Sequence, residues 1–183
     1  WWSIPAVQRR WNQLVTGDPG LDHYQWIADR HLQRGGLCAL SVGCGEGARE
    51  LRWARTGRFR RVLGIDLSPY AIASARRAAA AAGLADVVQF EVGDLADPRV
   101  GGDATFDVVI GEHSIHHLSP LRAVLQSLRQ RLVPGGLVLV DEFVGPTRFQ
   151  WSDAQLGWID RLLPQLPARL RRRQDGSTKR REH

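Results

Sequence analysis

An α/β fold with a doubly wound parallel sheet is the architecture this sequence predicts, and three observations predict it. Apolar runs of strand length alternate with helix-patterned segments between residues 36 and 144. The run Leu40-Ser41-Val42 ends in glycines at alternate positions, Gly43, Gly45 and Gly47. A second run, Val62-Leu63-Gly64-Ile65, ends in an acid, Asp66. Strands alternating with helices imply parallel pairing through right-handed crossovers. Glycines at the first strand-to-helix turn let the backbone turn sharply and approach a ligand closely.

Each element has its own signal. Pro5 suits the first turn of a helix over residues 7–14. Tyr24, Ile27, Ala28 and Leu32 recur at helical spacing over residues 22–33, and Gly35-Gly36 ends that segment. These make a helical lead-in of residues 1–35. The residues after Gly47 read as a helix. Ser68-Pro69 caps and starts another through Ala82, with Gly83 after it. Val87-Val88-Gln89-Phe90-Glu91-Val92 is a third strand, with Asp94 and Leu95 just beyond its end. Residues 97–105 read as a loop. Phe106-Asp107-Val108-Val109-Ile110-Gly111-Glu112 is a fourth strand. Ser119-Pro120 starts a helix to about Leu132. Pro134-Gly135-Gly136 precedes a fifth strand, Leu137-Val138-Leu139-Val140. A last helix runs from Ser152-Asp153 to Leu163, ahead of a charged tail. No linker divides the chain, so residues 1–183 read as one domain: lead-in 1–35, core 36–144, helix and tail 145–183.

Gly43, Gly45 and Ala48 fit the dinucleotide pattern G-x-G-x-x-G/A, and Asp66 follows Gly43 by 23 residues. A carboxylate there can accept from both hydroxyls of a ribose. A nicotinamide-dependent oxidoreductase therefore remains open at this point. The later segments discriminate. The acids at the ends of the third and fourth strands and the Pro-Gly-Gly turn, taken with the first two segments, resemble the class I S-adenosylmethionine-dependent methyltransferases. The resemblance runs from about Leu37 to Val144 and implies a Rossmann-like fold with S-adenosyl-L-methionine as cofactor. No Tyr-x-x-x-Lys pair supports the oxidoreductase, and a non-catalytic adenosyl-binding module is a further alternative.

The resemblance also implies roles. Gly43, Cys44 and Gly45 contact the methionine part through backbone atoms. Asp66 holds the ribose, Leu67 flanks the adenine, and Asp94 accepts from the adenine amino group with the Leu95 backbone beside it. Glu112 faces the methionine moiety. Ser41 stands where the family often carries an acid, so the cofactor's amino group falls to Glu112 and to backbone carbonyls.

Methyl transfer is an in-line displacement in which the cofactor carries its own leaving group. An oxygen or nitrogen acceptor can need a general base. His113, His116 and His117 cluster after the fourth strand, and His116 and His117 are the catalytic candidates. The stretch from Glu142 to Trp151 resembles a Glu-aromatic-Val-Gly-Pro-x-Arg-Phe-Gln-Trp segment of a bacterial subgroup of type 11/12-like methyltransferases. Glu142, Arg148 and Trp151 are its acceptor-side candidates, for a small molecule. Trp1, Trp2 and Trp11 are candidates to cap the pocket.

Composition sets the outer bounds. The formal net charge is +6, yet residues 169–183 alone carry +5. The basic character thus belongs to the tail, and without an Asn-Pro-Pro-Tyr-like motif it argues against a nucleic-acid substrate. No run approaches the ~20 apolar residues of a membrane span. Cys38 and Cys44, six residues apart on an extended strand, lie about 20 Å apart, too far for a disulfide. Free thiols fit a cytoplasmic setting, and this pair makes no zinc site. The chain has no methionine, and the class I sheet usually has seven strands where five are legible. Both suggest a fold truncated after strand five. Abundant arginine suggests a bacterial source.

Overall fold

The computed structural model describes residues 4–97, 100–102, 104–142 and 151–172. The chain divides into two compact units, Trp1–Phe143 and Val144–His183.

The first unit opens with α1 (Pro5–Thr16) and α2 (His23–His31). Pro5 occupies the first turn of α1, and Gly17 ends the helix in the left-handed conformation. The Asp22 side chain caps α2 by accepting from the amides of Tyr24 and Gln25. The helix stops at His31 rather than at Gln33, because Leu32 leaves the helical conformation while its side chain stays buried. Then follow β1 (Leu37–Val42), α3 (Ala48–Arg55), β2 (Phe59–Asp66), α4 (Pro69–Ala81), β3 (Val88–Val92), β4 (Phe106–Glu112), a 3-10 turn (Ile115–His117), α5 (Leu121–Gln130) and β5 (Leu132–Asp141). Ser68 caps α4 through the Ala71 amide, as its sequence predicts.

The five strands are all parallel, in the order β3-β2-β1-β4-β5. β1 is central and buried along its whole length. Its side chains alternate between two cores, as the two-residue period of a strand requires. Leu37 and Ala39 join Tyr24, Trp53, Ile72 and Phe90 beneath α2, α3 and α4. Cys38, Leu40 and Val42 join Phe106, Val109, Val124 and Leu128 beneath α5. Each buried Val, Leu, Ile or Phe among them contributes about 1.5–3 kcal/mol. This two-sided packing makes the sheet Rossmann-like and doubly wound.

The fifth strand begins earlier than its sequence suggests. Leu132 already pairs with Phe106, and the ladder then jumps to Val108 with Leu137. The intervening Pro134 lacks an amide proton, and Gly135 takes φ 77°, so this stretch bulges out of register. For the same reason α5 ends at Gln130, short of Leu132.

The second unit contains α6 (Asp153–Leu162), a 3-10 turn (Leu163–Gln165) and α7 (Ala168–Arg171). Ser152 and Gln155 form a reciprocal capping box at the start of α6.

Candidate functional site

In this strand order the chain crosses from one side of β1 to the other between β3 and β4, so the strand order reverses at β1. Crevices of open α/β sheets form outside the carboxyl ends of the strands at such a switch point. Gly43 stands there with φ 66°. A Cβ added to it would lie 2.5 Å from the Cβ of Ser114. Ser114 is buried and donates from its hydroxyl to the Val42 carbonyl at 2.5 Å, which ties the end of β4 to β1. The amides of Gly43 and Cys44 both donate to the Ile65 carbonyl, at 2.8 and 3.1 Å. Gly45, at φ 54°, donates from its amide to Asp66 Oδ2 at 2.9 Å. A Cβ on Gly45 would meet nothing within 4 Å, so its α-carbon faces open space. The turn is thus fixed by its neighbours and bare toward a ligand.

Two cavities adjoin it. One, of about 390 Å³, is lined by Asp66, Leu67, Asp94, Leu95 and His117 among others. The other, of about 450 Å³, is lined by Trp11, His23, Tyr24, Cys44, Gly45, Arg49, Arg52 and Asp141 among others. Gly43 and His113 line both.

The strand-end acids are held in place by backbone amides. Asp66 Oδ1 accepts from the Ser68 amide at 2.9 Å, besides the Gly45 contact. Asp94 Oδ1 accepts from the Ala96 amide at 2.8 Å. Leu67 is 69% exposed at the cavity mouth. The structure therefore brings Asp66, Leu67, Asp94 and Leu95 into one cavity and Cys44 and Gly45 into the other.

Glu112 and Ser41 line neither cavity. Glu112 is buried, and its carboxylate accepts from the Trp53 indole Nε1 at 2.9 Å. Burial raises its pKa, against the hydrogen bonds from Trp53 and Tyr24 that hold it down. The Trp53 ring is 2% exposed, so its N–H needs a buried acceptor, and Glu112 is that acceptor. Its main-chain oxygen accepts from Arg49 Nη1 at 3.0 Å. The Ser41 hydroxyl donates to Glu50 Oε1 at 2.6 Å, and both residues are buried.

The histidines divide. Glu142, its side chain 8% exposed, accepts from the Ile115 and His116 amides at 2.8 and 3.3 Å and meets His116 Nδ1 at 2.8 Å. It caps the 3-10 turn Ile115–His117 and lines neither cavity. His116 lines neither cavity as well, whereas His117 lines the one beside Asp66. His113 has φ 54°, uncommon for a residue with a side chain. Its amide donates to the Asp141 carbonyl at 2.8 Å, and its Nε2 lies 3.5 Å from Asp141 Oδ2. Its ring centroid is 6.2 Å from that of Trp11. Trp1, Trp2 and Arg148 fall outside the described residues, as does the rest of the segment from 143 to 150. Trp151 belongs to the second unit.

Of the helical wall, sequence reading found Trp11 and missed the rest. His23 Nδ1 lies 2.8 Å from Asn12 Oδ1, which also accepts from the His23 amide. Burial lowers the His23 pKa. The Arg52 guanidinium stacks 4.2 Å over the Tyr24 ring and pairs with Asp22. Burial raises the Tyr24 pKa, so its hydroxyl stays protonated. Among the described residues there is no cluster of metal-ligating side chains and no helix long and apolar enough to cross a membrane. Both cysteines are free thiols.

Comparison with known proteins places this arrangement. Residues 39–136 match the family described as methyltransferase domain. An uncharacterised methyltransferase of Mycobacterium tuberculosis is 31% identical over 129 residues, covering 68% of this chain and 60% of that protein. The erythromycin 3''-O-methyltransferase of Saccharopolyspora erythraea is 30% identical over 105 residues, covering 57% of this chain and 34% of that enzyme. A SAM-dependent methyltransferase from Geobacter sulfurreducens, solved with S-adenosyl-L-homocysteine, matches with a TM-score of 0.54 at 27% identity. That match covers 66% of this chain and 47% of that one. The chain thus spans about 60% of the length of the mycobacterial relative. It belongs to the methyltransferase domain family, with the Rossmann-like fold of the S-adenosylmethionine-dependent enzymes.

Proposed function

We propose that this domain binds S-adenosylmethionine across Gly43 and transfers its methyl group to a small-molecule acceptor. The adenosine half is assigned to the Asp66–Asp94 cavity and the methionine half to the cavity beside Tyr24 and Arg49. One observation carries the reading: two cavities of ligand size, one edged by carboxylates and one by helices, meet at a glycine that no larger residue can replace. The names of relatives support the substrate class, since the erythromycin enzyme acts on a small molecule.

The residues present fit such a cofactor. Asp66 is already oriented by two amides, and its oxygens retain lone pairs for ribose hydroxyls. Arg49 and Arg52 put positive charge in the second cavity, where an amino-acid carboxylate would lie. Bound S-adenosylmethionine supplies a sulfonium methyl with its own leaving group. The chain's work is then positioning and exclusion of water. His113, which borders both cavities and faces Asp141, is assigned in preference to His116 as the residue that takes a proton from an oxygen or nitrogen acceptor.

Titration calorimetry with S-adenosylmethionine, S-adenosylhomocysteine and NAD tests the cofactor. Both adenosyl compounds are expected to bind and NAD to give no heat. Binding of NAD alone would replace this reading with the oxidoreductase.

A further inference from the structure

Behind the wall of the second cavity lies an acid that neither the fold nor the assignments above require. Glu50 is the third residue of α3 and only 2% exposed. Cys44, Gly45, Ala48 and Arg49, the turn and first residues of that helix, line the cavity itself. One Glu50 oxygen accepts from Ser41, two residues before Gly43 on β1. The other, Oε2, is buried with no hydrogen-bond partner among the described residues. A buried carboxylate oxygen left unsatisfied costs about 1–3 kcal/mol or more, so a structural explanation alone is incomplete. Among the described residues no basic side chain forms a salt bridge with it. The charged and titratable groups around it are Arg49 on its own helix, Cys44 on the turn and Glu112 on β4.

We propose that Glu50, tethered by Ser41, supplies the negative charge that balances the ammonium group of the cofactor's methionine half. Ser41 and Glu50 do not line the cavity themselves; their hydrogen bond joins β1 to α3 directly behind the residues that do. Glu50 acts as a positioning residue through the turn it underlies. This rests on the cofactor reading above and goes beyond it in naming the countercharge. Burial, with a smaller push from Glu112, holds the Glu50 carboxyl up at about 7, against the hydrogen bond from Ser41. An incoming ammonium favours the ionised form. Binding must then release a proton at pH below about 7, and affinity must rise with pH to that point.

The test compares wild type and Glu50→Gln by calorimetry between pH 6 and 8, using S-adenosylhomocysteine and 5'-methylthioadenosine, which lacks the amino-acid end. Glu50→Gln is expected to weaken S-adenosylhomocysteine binding by roughly ten- to a hundredfold, the scale of a lost bond to a charged group, and to leave methylthioadenosine within about threefold. The rise in affinity with pH is expected in wild type and lost in the variant. Adding Ser41→Asp to Glu50→Gln restores the charge from the strand and is expected to recover binding. Equal weakening of both ligands, or of neither, overturns the proposal, as does an unchanged pH slope. If Glu50→Gln does not fold, a wild-type affinity for S-adenosylhomocysteine that is flat from pH 6 to 8 overturns it. Wild type that binds neither ligand overturns the cofactor reading together with this one.

Discussion

The cavity beside Asp66 is built from strand ends, whereas the cavity beside Tyr24 is built mainly from helices. In the first, Asp66, Leu67, Asp94 and Leu95 leave the carboxyl ends of β2 and β3, and amides of the same loops orient both acids. In the second, Trp11, His23 and Tyr24 come from α1 and α2, and Arg49 and Arg52 from α3. The polar order behind that wall is carried by long-range pairs: Trp53 with Glu112, Arg49 with the Glu112 carbonyl, Ser41 with Glu50. A site made by local turns repeats wherever the strand–turn–helix unit repeats. A site made by packing is particular to this chain.

The largest effect should come from breaking both cavities at once. Gly43→Ala puts a methyl group against Ser114 at a positive φ. It should destabilise the fold by roughly 2–4 kcal/mol and abolish binding of S-adenosylhomocysteine. Thermal unfolding and calorimetry on the same sample measure the two losses.

Asp66→Ala sharpens the contrast between the cavities. It should weaken S-adenosylhomocysteine by about 1–3 kcal/mol and methylthioadenosine by the same amount, because the lesion lies on the adenosine side. Glu50→Gln should separate the two ligands instead. A variant at Asp66 that spared methylthioadenosine would reverse the assignment of the cavities.

The third expectation concerns pH. The folded pKa of Glu50 is raised from 4.5 to about 7. Its contribution to stability is therefore fully present below about 4.5 and is lost as pH rises through about 7. Glu112 is shifted in the same direction. His23 works oppositely: its pKa is lowered from 6.5, so its contribution is present above 6.5 and lost as pH falls through its folded value. Between pH 5 and 8 the ligand-free melting temperature of wild type should fall relative to that of Glu50→Gln. Differential scanning calorimetry at matched ionic strength checks this, and parallel curves for the two proteins would count against a buried, titrating Glu50.

The smallest effect is reserved for Leu67. Its side chain is largely exposed and would gain only contact with the adenine. Leu67→Ala should weaken the adenosyl ligand by about 1 kcal/mol with no change in folding stability.

The same contrast explains what the sequence reveals. The sheet is legible because β1, β2, β3 and β4 are apolar runs ended by glycines or acids, and because Ser68-Pro69 is a local cap. Asp66 and Asp94 are legible for the same reason: their position follows from the end of a strand. The positive φ of His113 has no motif, since it arises from the tie between Ser114 and Val42 and from the hydrogen bond to Asp141. The histidine pair at 116 and 117 looks more catalytic in sequence than His113, yet Glu142 engages His116 as part of a cap. Glu112 ends β4 as an acid should, but the buried Trp53 indole takes its carboxylate, a contact across 59 residues. Glu50 left one readable trace. With Leu51, Trp53 and Ala54 it falls on the buried face of α3, where an acid is out of place. Seen that way, Ser41 and Glu50 are complementary departures, a strand lacking its acid and a helix carrying one too many.

The most direct measurement is the crystal structure of this chain with S-adenosylhomocysteine. The adenosine is expected against Asp66, Leu67 and Asp94, the sulfur beside Gly43 and His113, and the homocysteine amino group on the Ser41–Glu50 side of the Tyr24 cavity. A ligand with its halves exchanged between the two cavities, or bound outside both, would contradict the assignment.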